Sequence, residues 1–117
     1  MRELFLPVAL LLFGSSLSSA ELWTGELFDA DCVEHHKEMQ KYEECIPADR
    51  TVTFVLQTSG RILKLDAGGN RKAAAAWKEY VDKLRVIDPD LKTKPVTATV
   101  EGAVSGDEIM VDSIQLR

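Results

Sequence analysis

The side chains best suited to chemistry in this chain of 117 residues lie close together in one short stretch. They are two cysteines, two histidines and a methionine: Cys32, His35, His36, Met39 and Cys45. Thiolate and imidazole groups suit both zinc and copper, and residues four apart on a helix, such as Cys32 and His36, share a face. The cluster therefore predicts either a metal site or a disulfide beside two surface histidines. The redox environment decides between them.

The first twenty residues indicate that environment. A charged start at Arg2 leads into an apolar run from Leu4 to Phe13, and small residues follow as far as Ala20. This pattern is typical of a cleaved signal peptide. The apolar run has about half of the roughly 20 residues that a membrane-spanning helix needs. We therefore expect residues 1–20 to be removed, with no stable membrane insertion afterwards, and residues 21–117 to form one exported domain, periplasmic or secreted. An uncleaved N-terminal anchor is the alternative.

Export favours oxidation of the two cysteines. Cys32 and Cys45 are the only cysteines in the chain, and in an oxidising compartment they most simply pair with each other. An unbroken helix between them would hold their Cα atoms about 19 Å apart, whereas a disulfide needs less than about 7 Å. The intervening segment must therefore fold back. Because the disulfide removes the thiolates, we expect no metal or cofactor. Zinc or copper binding in the Cys32, His35 and His36 region is the alternative.

Short catalytic motifs are missing from the sequence. It contains no Cys-x-x-Cys, no His-Glu-x-x-His and no Gly-x-Ser-x-Gly, the patterns of thiol exchange, metalloproteolysis and serine hydrolysis. We therefore expect a protein that is not an enzyme.

The distribution of charge along the chain indicates which kinds of ligand the protein could bind. The chain has a formal net charge of -5, which disfavours nucleic-acid binding. Basic residues nevertheless outnumber acidic ones between Thr51 and Lys94. A patch around Arg61, Lys64, Arg71 and Lys72 could meet an anionic ligand, and ordinary solvated faces are the alternative interpretation.

The residue pattern predicts a first strand, a short helix and then a hairpin. Trp23 to Phe28 is a candidate first strand, in which Gly25 indicates a bulge or tight coil. Asp31 and Glu34 have the spacing of a capping box, which predicts a short helix near Cys32. The runs 51–57 and 61–66 predict a hairpin with a three-residue loop.

A longer helix follows the first hairpin. Asn70 is a suitable N-cap, and an apolar stripe of helical spacing comes after it: Ala73, Trp77, Tyr80, Val81 and Leu84. The helix is expected to stop before Pro89. The runs 96–104 and 109–116 then predict a second hairpin.

The element order is β-β-β-α-β-β, a mainly β fold with one principal helix. We expect a small five-stranded barrel of the OB type, with an open α+β sheet as the alternative. OB barrels bind ligands across the second and third strands. By that analogy Thr53, Arg61 and Lys64 would contact a small anionic ligand or a protein partner.

Three patterns also carry a resemblance. They are W-x-G-x-[LV]-x-D-x-x-C from Trp23 to Cys32, KLDxxGN from Lys64 to Asn70, and V-T-A-T-V-E-G…D-E-I-M-V-D-S-I from Val96 to Ile114. Together they resemble a group of small exported bacterial proteins with an OB-like fold and no characterised function. The resemblance spans nearly all of residues 21–117 and implies export and the fold, without a reaction.

Overall fold

The computed structural model describes residues 20–36, 44–87 and 95–117. Within them, the elements in chain order are β1 Glu21–Asp29, α1 Ala30–His35, β2 Phe54–Thr58, β3 Arg61–Leu65, α2 Ala67–Ile87, β4 Val96–Ser105 and β5 Glu108–Leu116. The predicted signal peptide lies outside the described residues except for Ala20. In the described part, neither helix is both long enough and apolar enough to cross a bilayer.

The strands form a closed barrel in the order β1-β2-β3-β5-β4. β1 belongs to two ladders, since its residues 21–27 pair with β4 and its residues 26–29 pair with β2, both antiparallel. The barrel closes where β3 runs parallel to β5, with Lys64 opposite Glu108 and Leu65 opposite Ile109. The predicted five-stranded OB-like barrel is confirmed, and the open sheet is not formed.

Gly25 lies where β1 passes from one ladder to the other. A Cβ atom at this position would collide with the carbonyl oxygen of Gln57 on β2. The register of β1 against β4 is unbroken here, so the glycine permits a close backbone approach and does not mark a bulge. The register shift lies in the β4–β5 ladder: Glu101 pairs with Ser113 and Gly102 with Val111, which leaves Asp112 of β5 unpaired in the ladder.

Side chains from all five strands fill the barrel, and α2 covers one end. The buried interior comprises Leu27, Phe54, Leu56, Leu63, Leu65, Ala73, Ala98, Val100, Ile109 and Val111. Further along α2, Trp77 and Val81 are buried against Val96. The predicted helical stripe is confirmed, with Tyr80 and Leu84 half-buried at its margin. Each large apolar side chain removed from water contributes about 1.5–3 kcal/mol to folding.

The first hairpin turns more tightly than its sequence predicts. Ser59 and Gly60 both have positive φ, 49° and 76°, which is the backbone of a two-residue type I′ turn. Thr58 therefore pairs with Arg61 within the ladder instead of lying in a three-residue loop. The predicted start of this strand at Thr51 is too early, because β2 begins at Phe54.

The start of α2 also differs from the prediction. The helix begins at Ala67, three residues before the expected N-cap, Asn70. Asp66 takes the capping role, since its Oδ1 accepts a 2.9 Å hydrogen bond from the Gly69 N–H. Asn70 lies inside the first turn, where its Oδ1 accepts a 2.9 Å hydrogen bond from the Phe54 N–H. The amide of Asn70 thus fixes the start of β2 against the helix.

Candidate functional site

Asp29, the last residue of β1, organises the segment that carries the cysteines. Its Oδ1 accepts a 3.0 Å hydrogen bond from the Cys32 N–H and so caps α1. Its own N–H donates to the Cys45 carbonyl at 2.8 Å, and its Oδ2 accepts from the Thr51 hydroxyl at 2.7 Å. The predicted cap, Asp31, is wrong, because Asp31 is exposed in the first turn of the helix. The capping position is set by where β1 ends.

Cys32 and Cys45 form the predicted disulfide, with their Cα atoms 5.3 Å apart. Cys45 is buried and Cys32 is half-buried. The sulphurs lie in a small apolar cluster on the outer side of the barrel, with Phe28, Val33 and Val55. The bridge therefore holds α1 against the outward face of β2.

His36 lies directly beside the disulfide. Its Nδ1 is 3.6 Å from the Cys32 Sγ and 3.8 Å from the Cys45 Sγ. The same Nδ1 is 2.8 Å from the Cys32 carbonyl oxygen. Since a carbonyl only accepts, Nδ1 carries the proton in this state. The other ring nitrogen, Nε2, lies 3.9 Å from the Glu44 carboxylate.

His35 does not join this group. Its Nδ1–H donates to the Asp31 carbonyl at 2.7 Å, and its ring is exposed. Of the two histidines named as the alternative metal ligands, the structure therefore brings only His36 to the cysteines. Among the described residues, Cys32, His36 and Cys45 form a group whose ligand atoms all lie within 4.8 Å of one another. Met39 lies outside the described residues.

A cleft of about 430 Å³ opens between α1 and the β2–β3 hairpin, beside the contact of Val33 with Val55. Its floor is apolar and includes Val33, Phe54, Val55, Ile62 and Leu65. Its rim carries four carboxylates, from Asp31, Glu34, Asp107 and Glu108, together with the ammonium of Lys64. Thr53 and Asn70 add polar atoms at one side. The cleft thus joins an apolar floor to an acidic rim.

The three predicted ligand residues are not gathered at one place. Thr53 and Lys64 line the cleft. Arg61 lies at the far end of β3, and its Nη2 donates a 2.8 Å hydrogen bond to the Gly106 carbonyl. Lys64 is partly neutralised by Asp107, whose carboxylate lies 3.9 Å from its Nζ. The predicted basic patch therefore supplies a single cation to this cleft.

Sequence reasoning did not identify the acidic rim. Its carboxylates come from α1, from the turn between β4 and β5 and from the first residue of β5, and the latter two segments are far from α1 in the chain. The parallel pairing of Lys64 with Glu108 brings that turn to the cleft. In the sequence, only the adjacent acidic residues Asp107 and Glu108 after Gly106 could have indicated the rim. Polar residues of this kind are equally expected in an ordinary hairpin turn.

Comparison with known proteins adds no assignment: no family model matches the chain, and neither curated proteins nor solved structures give a significant match. The resemblance to small exported bacterial proteins therefore stays a prediction.

Proposed function

We propose that this protein is an exported binding module without catalytic activity, and that its cleft between α1 and the β2–β3 hairpin binds an organic cation with an apolar body. The observation that carries the proposal is the combination of an apolar floor with four carboxylates and one ammonium at the rim. Metal binding in the region of Cys32 and His36 is a separate candidate, favoured by the spacing of their ligand atoms and that of Cys45.

The size and lining of the cleft suit a small ligand. Small-molecule sites usually occupy roughly 300–1,000 Å³ and combine apolar walls with a few polar groups. Phe54 and Leu65 are buried beneath the cleft, and Val33 and Val55 line the side next to α1. An apolar ligand body placed on these side chains would lose its contact with water, which supplies the main driving force for binding.

The rim sets the sign of the charge that the ligand would carry. A bound anion would lie among the side chains of Asp31, Asp107 and Glu108, which line the cleft, and like charges repel. The ammonium of Lys64 is already near Asp107. The anionic ligand expected from the basic patch is therefore less well supported than a cationic one.

The outer face of β2 and β3 is only partly available. Val55 lies beneath α1 and is 3% exposed, whereas the side chain of Lys64 is 63% exposed. This arrangement favours a small ligand, or one side chain of a partner, over an oligomer lying along the whole sheet.

Export rests on two observations. The pattern of residues 1–20 is that of a signal peptide, and the disulfide between Cys32 and Cys45 is typical of oxidising compartments. The mass of the protein recovered from the cell envelope tests the cleavage, and loss of residues 1–20 is expected.

The cleft is tested with three matched probes of the purified, oxidised protein: benzylamine, benzyl alcohol and benzoate. Amide NMR shifts on titration should place benzylamine beside Val33, Thr53 and Lys64. Benzylamine should bind most tightly and benzoate least tightly. Equal or tighter benzoate binding, or shifts confined to other surfaces, contradicts the proposal.

Variants separate rim charge from general surface charge. The double change Asp107→Asn and Glu108→Gln should weaken benzylamine binding by about fivefold, since exposed charge pairs contribute about 0.2–1 kcal/mol each. Lys64→Met should strengthen it, because the ammonium is removed. Glu79→Gln is the control, since Glu79 lies on α2 beside Lys83 and outside the cleft. An equal effect of Glu79→Gln would show that only bulk charge matters.

A further inference from the structure

We propose that reduction of the disulfide converts Cys32, His36 and Cys45 into a binding site for a thiophilic metal ion, with zinc(II) as the best geometric match. The site lies on the side of α1 that contacts the Cys45 segment and does not depend on ligand binding in the cleft. It differs from the site predicted from the sequence, because His35 takes no part in it.

The imidazole already lies at ligand spacing from both sulphurs. In a tetrahedral zinc site with Zn–S about 2.3 Å and Zn–N about 2.0–2.1 Å, a nitrogen and a sulphur ligand are about 3.6 Å apart. The His36 Nδ1 lies 3.6 Å and 3.8 Å from the two Sγ atoms. Once the S–S bond is broken, the two sulphurs must separate to about 3.8 Å for the same geometry, and the imidazole must turn its Nδ1 from the Cys32 carbonyl toward them.

The main chain around the cysteines is held independently of the S–S bond. Asp29 accepts from the Cys32 N–H through Oδ1 and donates its own N–H to the Cys45 carbonyl. The other carboxylate oxygen accepts from the Thr51 hydroxyl. Because none of these bonds involves sulphur, the two thiols stay close together after reduction. This preorganisation lowers the entropic cost of forming a three-ligand site.

Glu44 supports the histidine tautomer that a metal requires. In the oxidised state the Nδ1–H of His36 donates to the Cys32 carbonyl, so Nδ1 has no lone pair for a metal. Moving the proton to Nε2 frees Nδ1, and Nε2 lies 3.9 Å from the Glu44 carboxylate. A ligating histidine usually donates its other N–H to a carboxylate or carbonyl, which orients the ring. The side chains of both Cys32 and His36 are partly open to solvent, which leaves room for water as a fourth ligand.

The chemistry requires an external reductant of the thiol class. Two thiols, RSH, transfer two electrons and two protons to the Cys32–Cys45 bond, giving two cysteine thiols and the disulfide RS–SR. Zinc(II) then replaces the two thiol protons, which pass to solvent, and is bound by two thiolates and one neutral imidazole. Exchange with an external disulfide, RS–SR, reverses the first step: RS–SR accepts two electrons from the thiolates and leaves as two RS⁻, the Cys32–Cys45 bond forms again and the ion is released. The site therefore binds metal in one redox state only.

The test uses the purified protein, reduced with dithiothreitol, desalted without oxygen and titrated with cobalt(II) as a spectroscopic probe and then with zinc(II) as competitor. The reduced protein should bind one ion per chain and show thiolate-to-cobalt charge-transfer absorption, which zinc(II) abolishes. The oxidised protein should bind at least about 100-fold more weakly, because its thiolate ligands are absent. A copper(I) titration in a parallel sample shows whether the site also takes that ion.

Adjacent histidines supply a matched control. His36→Ala should weaken zinc(II) binding by at least about tenfold, since one of the three ligands is lost, whereas His35→Ala should leave it unchanged. Glu44→Gln should weaken binding by about tenfold, the lower end for a carboxylate that orients a ligating histidine.

Equal effects of His35→Ala and His36→Ala, or equal binding by the oxidised and reduced proteins, would overturn the proposal. So would a reduced protein that loses its far-ultraviolet circular dichroism and does not regain it with zinc(II). A failure here leaves the cleft titrations unaffected, because those use the oxidised protein.

Discussion

The N–H of Asp29 donates a 2.8 Å hydrogen bond to the carbonyl oxygen of Cys45, which joins the end of β1 to the second half of the disulfide. The carboxylate of the same aspartate caps the helix that carries the first half. One residue thus holds the backbone of both cysteines through hydrogen bonds that do not involve sulphur, and it links the barrel to the segment that lines the candidate sites.

Asp29→Ala should destabilise the protein by about 2 kcal/mol, because loss of a helix N-cap costs about 0.5–2 kcal/mol and the half-buried Thr51 hydrogen bond is lost as well. Urea denaturation of the oxidised protein measures the change. Asp31→Ala is the control, and the exposed position of Asp31 predicts an effect below about 0.5 kcal/mol. A larger loss for Asp31→Ala would show that Asp31 is the cap.

Two adjacent glycines in α2 should respond to alanine with opposite sign. A Cβ atom on Gly69 would lie 2.6 Å from the Val111 Cγ2, whereas one on Gly68 would meet nothing closer than 3.8 Å. Gly69→Ala should therefore lower the free energy of unfolding by about 1–3 kcal/mol through overpacking. Gly68→Ala should raise it by about 0.5 kcal/mol, because alanine favours a helix. Thermal melts of the two variants decide the point, and a shift of the same sign in both contradicts the packing described for the helix.

Asn70→Ala should cost about 1–3 kcal/mol, because it leaves the buried N–H of Phe54 without its acceptor. Asn70→Asp retains an acceptor oxygen at the N-terminal end of a helix, where a carboxylate is favoured, and should cost less. Denaturant midpoints of the two variants provide the comparison. Should both variants lose the same stability, the bond to Phe54 would not be the cause.

Reduction of the disulfide should lower the free energy of unfolding by about 3 kcal/mol, the chain-entropy estimate for a loop of about 15 residues. The cysteines are separated by 13 positions. Urea denaturation with and without dithiothreitol, in the presence of a metal chelator, measures the difference. The variant carrying Cys32→Ala and Cys45→Ala should match the reduced protein and should not respond to dithiothreitol. An unchanged midpoint on reduction would show that the bridge adds no stability.

Several elements could be predicted because their cause is local. The stripe containing Ala73, Trp77 and Val81 repeats with helical spacing, and burial of that face is what stabilises such a helix. Alternating apolar residues around short turns likewise predict the hairpins. The predicted ends of the helices and strands were less accurate. Asp66 and Asn70 are both good N-caps. In the structure Asp66 caps the helix through the Gly69 N–H, whereas Asn70 is used in the contact with Phe54.

In the candidate sites, too, some features could be predicted from the sequence and others depended on contacts between distant segments. The disulfide followed from the sequence, because only two cysteines were present to pair. The choice between His35 and His36 did not, since adjacent residues on a helix point about 100° apart and the position of Cys45 decides which one meets the sulphurs. The basic patch predicted an anionic ligand, yet only Lys64 of that patch lines the cleft.

The sequence by itself determined the order of strands and helix, the apolar face of α2 and the pairing of the two cysteines. These depend on residue type and on spacing along one segment. Only the tertiary structure decided which segments meet: the parallel pairing of β3 with β5 brings Asp107 and Glu108 beside Lys64, and Asp29 brings Cys45 to α1. The physical reason is that both sites are built from contacts between residues distant in the chain. The register of strand pairing in the barrel determines such contacts. The residue pattern within a single segment does not indicate them.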